Sequence, residues 1–116
     1  MRWLLLLVFL ALPASGAPDN RETAGAVIGG CMAARYQAPR TWEAALEADR
    51  CQTTLITIRT LGNRLDDNLR FCVPLNVSNG QVADIVAGYL SYRPAENDDH
   101  IITVVLKALR MAWPCQ

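Results

Sequence analysis

Four cysteines constrain the fold of this 116-residue chain more than any other feature of its sequence. They are Cys31, Cys51, Cys72 and Cys115, with gaps of 20, 21 and 43 residues between them. An even number of cysteines in a small exported protein predicts two disulfide bonds, although four cysteines allow three connectivities. The gaps do not match the C-x-x-C pairs that are typical of structural zinc sites. We therefore expect disulfides, and we expect neither a metal nor a cofactor.

The start of the chain predicts the oxidising compartment that disulfides require. Arg2 is followed by ten apolar residues, 3–12, and Pro13 then interrupts the run. A membrane-spanning helix needs about 20 apolar residues, so this run is typical of a cleavable signal peptide instead. We expect export to the periplasm, with no membrane insertion after the signal peptide is removed.

The small residues that follow the apolar run offer two cleavage points. Cleavage after Ala17 would leave Pro18 at the new first position, which signal peptidases generally reject, whereas cleavage after Gly16 avoids this. We therefore divide the chain into a signal peptide, residues 1–16, and a single domain, residues 17–116.

Composition excludes several classes of protein for that domain. The chain has 11 basic and 11 acidic residues, and removing Arg2 with the signal peptide leaves a net charge of about −1. A protein that binds nucleic acid normally carries a basic surplus, which is missing here. Hydrophobic residues make up 52% of the sequence, too many for a disordered chain. The composition favours one small, nearly neutral globular domain with a modest core.

The segment between Cys72 and Cys115 predicts a helical hairpin. Ser78 and Gln81 form a capping-box pattern, and the apolar residues that follow recur at helical spacing until Pro94 ends the helix. Residues 101–112 predict a second helix, with Asn97 or Asp98 as its N-cap. Because Cys72 precedes the first of these helices and Cys115 follows the second, both lie at the open end of the hairpin, and we pair them.

The same reasoning pairs the other two cysteines. One helix is predicted to end near Tyr36, and Thr41 is predicted to cap a longer helix after the break at Pro39. Cys31 and Cys51 each lie about ten residues from this turn, so they would meet across a second antiparallel hairpin. The predicted fold class is therefore all-α, with two disulfide-stapled helical hairpins that form a small bundle.

Three details within this architecture are less clear from the sequence. Gly25, Gly29 and Gly30 favour a frayed first helix, although small residues also let two helices approach closely. Residues 63–70 predict a further short turn with Leu65 and Leu69 facing inwards. Trp42 and Trp113, at predicted helix ends, are expected to pack at the hinges and in the core rather than to stack on a ligand.

No group of residues predicts catalysis. His100 is the only histidine, and its neighbours in sequence do not include a recognisable nucleophile. We expect His100 to be a solvated residue near the start of the last helix. Adjacent carboxylates such as Asp98 and Asp99 point to different faces of a helix, so they do not form the facing pair of a glycosidase. The sequence therefore predicts a protein that is not an enzyme and has no catalytic residue.

The cysteines and their surroundings resemble one known family across about residues 24–115. The segments that carry the resemblance are Phe71-Cys72-Val73-Pro74, Gln81, Tyr89-Leu90, Pro94, Ala108-Leu109 and Trp113-Pro114-Cys115. They are similar to the Rap/Tai immunity proteins, which protect bacteria from type VI secretion amidase effectors that cut peptidoglycan peptides. Residues 52–56 depart from the family, which often has glycine and tyrosine after its second cysteine.

The resemblance implies a periplasmic, disulfide-bonded protein, often a homodimer, that binds and blocks an amidase. Such a protein acts by occlusion. Our candidate for partner binding is the loop 93–99, whose carboxylates could engage basic groups in the enzyme's cleft. An ordinary solvated turn is the alternative that we favour from the sequence alone. The candidate residues of this loop are Arg93, Glu96, Asn97, Asp98 and Asp99.

A second function from a different class also fits the sequence. A stand-alone periplasmic stress protein with chaperone-like binding would have similar size and disulfides but no effector partner. Proteins of this kind expose apolar surface at low pH, when carboxylates that are paired in the fold become protonated. Protection of client proteins from aggregation at low pH would distinguish this function from amidase inhibition.

Overall fold

The computed structural model describes residues 20–116, which form a bundle of four α-helices. The predicted signal peptide, residues 1–16, lies outside the described residues. Within residues 20–116 the only β-type pairing is an isolated bridge between Thr23 and His100, so the all-α prediction is confirmed. No helix in this part of the chain has the length and apolarity to cross a membrane. The helices are α1, Ala24–Tyr36; α2, Trp42–Leu61; α3, Asn79–Ser91; and α4, Ile101–Ala112.

Both predicted disulfides are present. Cys31 in α1 is bonded to Cys51 in α2, with 5.5 Å between their Cα atoms. Cys72, before α3, is bonded to Cys115, after α4, with 5.0 Å between their Cα atoms. Beside the second bond, the N–H of Cys72 donates to the carbonyl of Trp113 at 2.8 Å. Each disulfide therefore fastens one hairpin, as predicted.

The first hairpin is held by a close approach of its two helices. A Cβ atom at Gly30 would overlap the backbone carbonyl of Glu47, so only glycine fits at this crossing. The expectation of a frayed first helix was therefore wrong, because the glycine allows packing that keeps α1 ordered from Ala24. At the turn, the side chain of Thr41 accepts a hydrogen bond from the N–H of Ala44, which confirms the predicted cap.

The second hairpin begins as predicted but differs before its last helix. Ser78 and Gln81 form the predicted capping box, with distances of 3.1 Å and 2.8 Å. The prediction of Asn97 or Asp98 as the N-cap of α4 was wrong, because Pro94–Asp98 forms a 3-10 helix of its own. The cap is instead His100, whose Nδ1 accepts from the N–H of Ile102 at 3.3 Å.

The core lies between the four helices and includes one residue from the segment that joins the hairpins. Phe71 is 1% exposed, and its ring lies against Gly62, where a side chain would collide with it. Leu65 is partly buried against the core, but Leu69 is exposed, contrary to the expectation. The largest fully buried side chains are those of Phe71, Leu55, Leu109, Val82, Val86, Val104, Val105 and Cys51.

The two tryptophans have different environments. Trp113 is partly buried against the core, as predicted. Trp42, however, is 73% exposed at the start of α2. The expectation that Trp42 packs at a hinge or in the core was therefore wrong, because α2 turns this position outwards.

Candidate functional site

The predicted partner-binding loop, residues 93–99, lies at the tip of the second hairpin and against the start of α1. Five of its residues form the 3-10 helix Pro94–Asp98. The carbonyl of Asp99 accepts a hydrogen bond from the N–H of Ala24 at 2.8 Å. The first N–H groups of a helix have no partner within the helix, so this loop caps α1. We call residues 93–99 the acidic loop.

Arg93 begins the acidic loop and is held against the second hairpin. Its guanidinium carbon lies 4.2 Å from the centre of the Tyr89 ring, a cation–π contact. Its Nη2 lies 3.9 Å from the sulfur of Met111 in α4. The arginine side chain therefore runs across the surface of the hairpin that carries the loop.

Glu96 joins the acidic loop to α4 by an ion pair. The Nζ of Lys107 donates to Oε1 of Glu96 at 2.9 Å, and the glutamate side chain is only 21% exposed. Lys107 holds the pKa of Glu96 below its ordinary value, and Glu96 in turn raises the pKa of Lys107. Burial, followed by the nearby Glu96 carboxylate, raises the pKa of Tyr89. Both members of the ion pair are therefore charged at neutral pH.

Asn97 holds the acidic loop from inside. Its Nδ2 donates to the carbonyl of Pro94 at 3.0 Å, which closes the 3-10 turn. Its side chain also lies beside Gly25, where a Cβ atom would be 3.0 Å from the asparagine Oδ1. Glycine at this position of α1 lets the loop sit directly on the helix.

The side chains of Asp98 and Asp99 differ from those of the other candidates in the contacts that they make. Both are exposed, and neither carboxylate accepts a hydrogen bond from any residue between 20 and 116. The backbone of Asp99 is fixed by Ala24 while its side chain remains open to solvent. The acidic loop therefore separates into three residues that hold it in place and two that present free carboxylates on a fixed backbone.

His100 follows the loop and has a structural role. Its Nε2 lies 3.2 Å from Oε2 of Glu22, while Nδ1 caps α4. Because Nδ1 accepts a backbone hydrogen bond, the proton of the neutral ring is on Nε2 and is donated to Glu22. The side chain is exposed, as expected, but it also joins the segment before α1 to the start of α4.

The described residues also bear on metal binding and thiol chemistry. All four cysteines are in disulfides. Between residues 20 and 116 no three side chains of His, Cys, Asp or Glu gather as they would around a metal ion.

Sequence reasoning identified the loop but missed the residues that support it. Tyr89 and Arg93 are four residues apart at the end of a helix, a spacing that brings side chains together and could have indicated their contact. Lys107 is the only lysine in the chain, but its position in sequence does not indicate a contact with Glu96. That contact depends on how the 3-10 helix folds back along α4.

Comparison with known protein families matches this chain to a family of immunity proteins. The model for the Rap1a immunity proteins matches residues 13–115, which includes both disulfides and the acidic loop. Comparisons with curated proteins and with solved structures give no match. The family match covers most of the chain and agrees with the resemblance seen in the sequence.

Proposed function

Because the chain belongs to the Rap1a immunity protein family, we propose that it binds and blocks a peptidoglycan amidase effector of type VI secretion. It does so in the periplasm, after cleavage of the signal peptide at residues 1–16, and it acts as a homodimer. Family membership supports an immunity-type protein with a protein effector as its partner. The amidase, the cleavage and the dimer are parts of the proposal.

The observation that carries this proposal is the construction of the acidic loop. Arg93, Glu96 and Asn97 are engaged with Tyr89, Lys107 and Pro94 within the same protein. The exposed carboxylates of Asp98 and Asp99 accept no hydrogen bond from residues 20–116, although Asp99 contributes to raising the pKa of Lys107. A loop that is already ordered loses little conformational entropy on binding, so more of its interaction energy appears as affinity.

Inhibition of this kind needs no chemical step. The loop enters the cleft of the enzyme and excludes its substrate, while the aspartates accept hydrogen bonds from basic or amide groups in the cleft. Charge-assisted hydrogen bonds of this kind are stronger than neutral ones. Since the domain carries almost no net charge, local charge in the loop and its fixed shape provide the selectivity.

The disulfides support the proposed location. Cys31 and Cys51 are buried between α1 and α2, so their bond is part of the core rather than an addition to the surface. Disulfides form and persist in oxidising compartments such as the bacterial periplasm. Peptidoglycan lies in the same compartment, so the inhibitor and its proposed target would meet there.

The direct experiment measures inhibition of a type VI peptidoglycan amidase by the mature, oxidised protein. The test variant is Asp98→Asn with Asp99→Asn, and the matched control is Asp66→Asn with Asp67→Asn, another adjacent pair of exposed aspartates. We expect the test variant to inhibit at least about 100-fold more weakly, by loss of charge-assisted contacts, and the control to inhibit normally.

Three results would contradict the proposal. The wild-type protein would fail to inhibit amidases of this class, or the two double variants would lose inhibition equally. Protection of client proteins from aggregation at pH 2–3 without any amidase inhibition would instead support the chaperone-like function. Thermal unfolding of each variant shows whether a loss of inhibition reflects a loss of structure.

A further inference from the structure

The Cys72–Cys115 disulfide lies at the surface of the domain. Cys72 is exposed and Cys115 is partly buried, whereas Cys31 and Cys51 are 4% and 0% exposed. A thiolate can open a disulfide only where it can reach one of the sulfur atoms. Of the two disulfides, Cys72–Cys115 is therefore the one placed to exchange with a thiol while the protein remains folded.

A cavity lies beside this disulfide, on the side of Cys115. Its volume is about 340 Å³, within the range of about 300–1,000 Å³ that is typical of sites for small molecules. We call it the arginine cavity, and its lining residues are Asp67, Arg70, Arg110, Pro114, Cys115 and Gln116. Cys72 is not among them. A molecule in the arginine cavity therefore meets the disulfide from the Cys115 side.

Two guanidinium groups line the arginine cavity. Between residues 20 and 116, Arg110 has no partner in a hydrogen bond or an ion pair. Nη1 of Arg70 lies 3.4 Å from Oδ1 of Asp67, whose side chain is 98% exposed, and an ion pair this exposed contributes little. Each guanidinium therefore keeps N–H groups for a ligand. Because guanidinium groups bind carboxylates through two parallel hydrogen bonds, the cavity favours a ligand with carboxylate groups.

The disulfide and the two arginines together specify the class of ligand. A thiol can react with the disulfide and a carboxylate can bind the arginines, so a molecule that carries both groups uses the whole cavity. We propose that the arginine cavity binds an anionic low-molecular-weight thiol, which becomes attached to Cys115 as a mixed disulfide. This inference goes beyond amidase inhibition and is independent of it, because none of the residues of the acidic loop lines the cavity.

The reaction is a thiol–disulfide exchange, which needs no oxidant other than the disulfide itself. The thiolate of the ligand attacks Sγ of Cys115 and forms a new S–S bond, and the bond between Cys115 and Cys72 breaks. The electron pair of the broken bond leaves with Cys72 as a thiolate, which then takes a proton from water. Since Cys72 is exposed and lies outside the cavity, water solvates this thiolate.

The attachment is reversible, because the two ends of the second hairpin stay close after the bond opens. The N–H of Cys72 donates to the carbonyl of Trp113 at 2.8 Å, and this hydrogen bond does not depend on the disulfide. The thiolate of Cys72 can therefore attack the mixed disulfide and restore the original bond. Ion pairs between the carboxylates of the ligand and the two arginines oppose this reversal, so the cavity selects thiols that carry carboxylates.

The first experiment measures how fast reduced glutathione, a tripeptide thiol with two carboxylates, opens the Cys72–Cys115 bond in the mature, oxidised protein. The matched probe is glutathione diethyl ester, in which both carboxylates are esterified, and the rates are compared at equal thiolate concentration. Acid quenching, alkylation and mass spectrometry give the initial rate and the cysteine that carries the glutathione. We expect glutathione to react about 10-fold faster than the ester, through two exposed ion pairs, and to be attached to Cys115.

Variants of the arginines test the origin of this preference. In Arg70→Gln with Arg110→Gln we expect glutathione and its ester to react at equal rates. The matched control is Arg40→Gln with Arg64→Gln, two exposed arginines outside the cavity, and it should keep the 10-fold preference. Arg110→Gln alone breaks no hydrogen bond within residues 20–116 and should keep a preference of about 3-fold. In 1 M salt the wild-type preference should disappear, because the charges are screened.

Four results would overturn the proposal. The wild-type protein would react equally fast with glutathione and its ester, or the preference would survive in the double variant of Arg70 and Arg110. Glutathione would be found mainly on Cys72, or the buried Cys31–Cys51 bond would open at the same rate, which would mean that exchange follows unfolding rather than binding. Circular dichroism shows whether each variant is folded, and Arg110→Gln alone decides the outcome if the double variant is not.

Discussion

The two hairpins of this protein use the same covalent device in different places. In the first hairpin the disulfide lies within the helix pair, and both Cys31 and Cys51 are buried. In the second hairpin the disulfide lies beyond the helices, and Cys72 is exposed. The first bond is part of the packing between two helices, whereas the second holds the open end of a hairpin. The difference shows that a disulfide's place in the packing, as well as its ring size, determines what it does.

The helices of the two hairpins differ in a related way. Helix α4 is apolar on one side, which includes Ile101, Val105 and Ala108, and the bundle buries that side. Helix α2 has apolar residues on opposite sides, and the bundle buries only one of them. The bundle therefore covers the apolar side of α4 but leaves Trp42, Leu46 and Ile56 of α2 exposed to solvent.

The largest effects are expected from removing the disulfides. Chain entropy assigns about 3 kcal/mol to the Cys31–Cys51 ring and about 4 kcal/mol to the Cys72–Cys115 ring. Replacing the buried pair by alanine also removes packed atoms from the core, at a further cost of about 1 kcal/mol. We therefore expect the two double variants to lose similar stability, about 4 kcal/mol each, in urea unfolding.

The two disulfides should differ in how readily a reductant reaches their sulfur atoms, although their removal costs similar stability. With increasing concentrations of a thiol reductant under native conditions, Cys72–Cys115 should open first, because thiol exchange requires access to a sulfur atom. Cys31–Cys51 should open only as the domain unfolds. Alkylation of the freed thiols followed by mass spectrometry shows which bond opens first. If the buried bond opened first, the contrast between the hairpins would be contradicted.

The close packing of the first hairpin predicts the next largest effect. Gly30→Ala would push α1 away from Glu47, and we expect a loss of about 1–3 kcal/mol in the free energy of unfolding. Gly29→Ala is the matched control, since nothing lies within 4 Å of the added Cβ atom. It should stabilise the protein by about 0.5–1 kcal/mol through helix propensity. Equal effects at the two positions would mean that the helices are not in close contact.

The helix caps provide a smaller comparison between the hairpins. Ser78 and Gln81 exchange two hydrogen bonds at the start of α3, whereas Thr41 makes a single one at the start of α2. We expect Ser78→Ala to cost about 1–1.5 kcal/mol and Thr41→Ala about 0.5–1 kcal/mol in chemical denaturation. A larger effect at Thr41 would show that the turn of the first hairpin depends more strongly on its cap.

The smallest effect is expected from the ion pair that supports the acidic loop. Because Lys107 lowers the pKa of Glu96 in the folded state, the pair's contribution to stability is complete above the ordinary glutamate pKa. It is lost as the pH falls through the lowered folded-state pKa. NMR titration should show that the pKa of Glu96 rises in Lys107→Met. Arg110→Met, one turn further along α4, is the control and should leave the pKa of Glu96 unchanged.

Much of the fold could be predicted because local signals determine it. The helices are interrupted by Pro39, Pro94 and Pro114, and two of them begin after the N-cap residues Thr41 and Ser78. The two cysteines of each pair lie at about the same distance from the turn of their hairpin. The N-cap of α4 could not be predicted in this way, because the 3-10 helix before it moves the cap to His100. The exposure of Trp42 was also missed, since the sequence alone does not show which side of a helix its neighbours cover.

The candidate site was predicted less completely than the fold. The charges of the loop identified Arg93, Glu96 and Asn97 as candidates together with the aspartates. Glu96 is held by Lys107, eleven positions later in the chain, a contact that no spacing in the sequence indicates. Sequence patterns locate charged residues in a loop, whereas only the packed structure separates those that support the loop from those that remain free.

The hydrogen bond between Ala24 and Asp99 has a consequence for the order in which the chain folds. It joins the first residue of α1 to the loop before α4, about 75 positions later in the chain. If the chain is exported as we propose, the start of the first helix cannot be completed while the last quarter of the chain has not yet crossed the inner membrane. In that case the domain should remain sensitive to proteases until translocation ends. A contact of this sequence separation also slows folding relative to a bundle of purely local contacts.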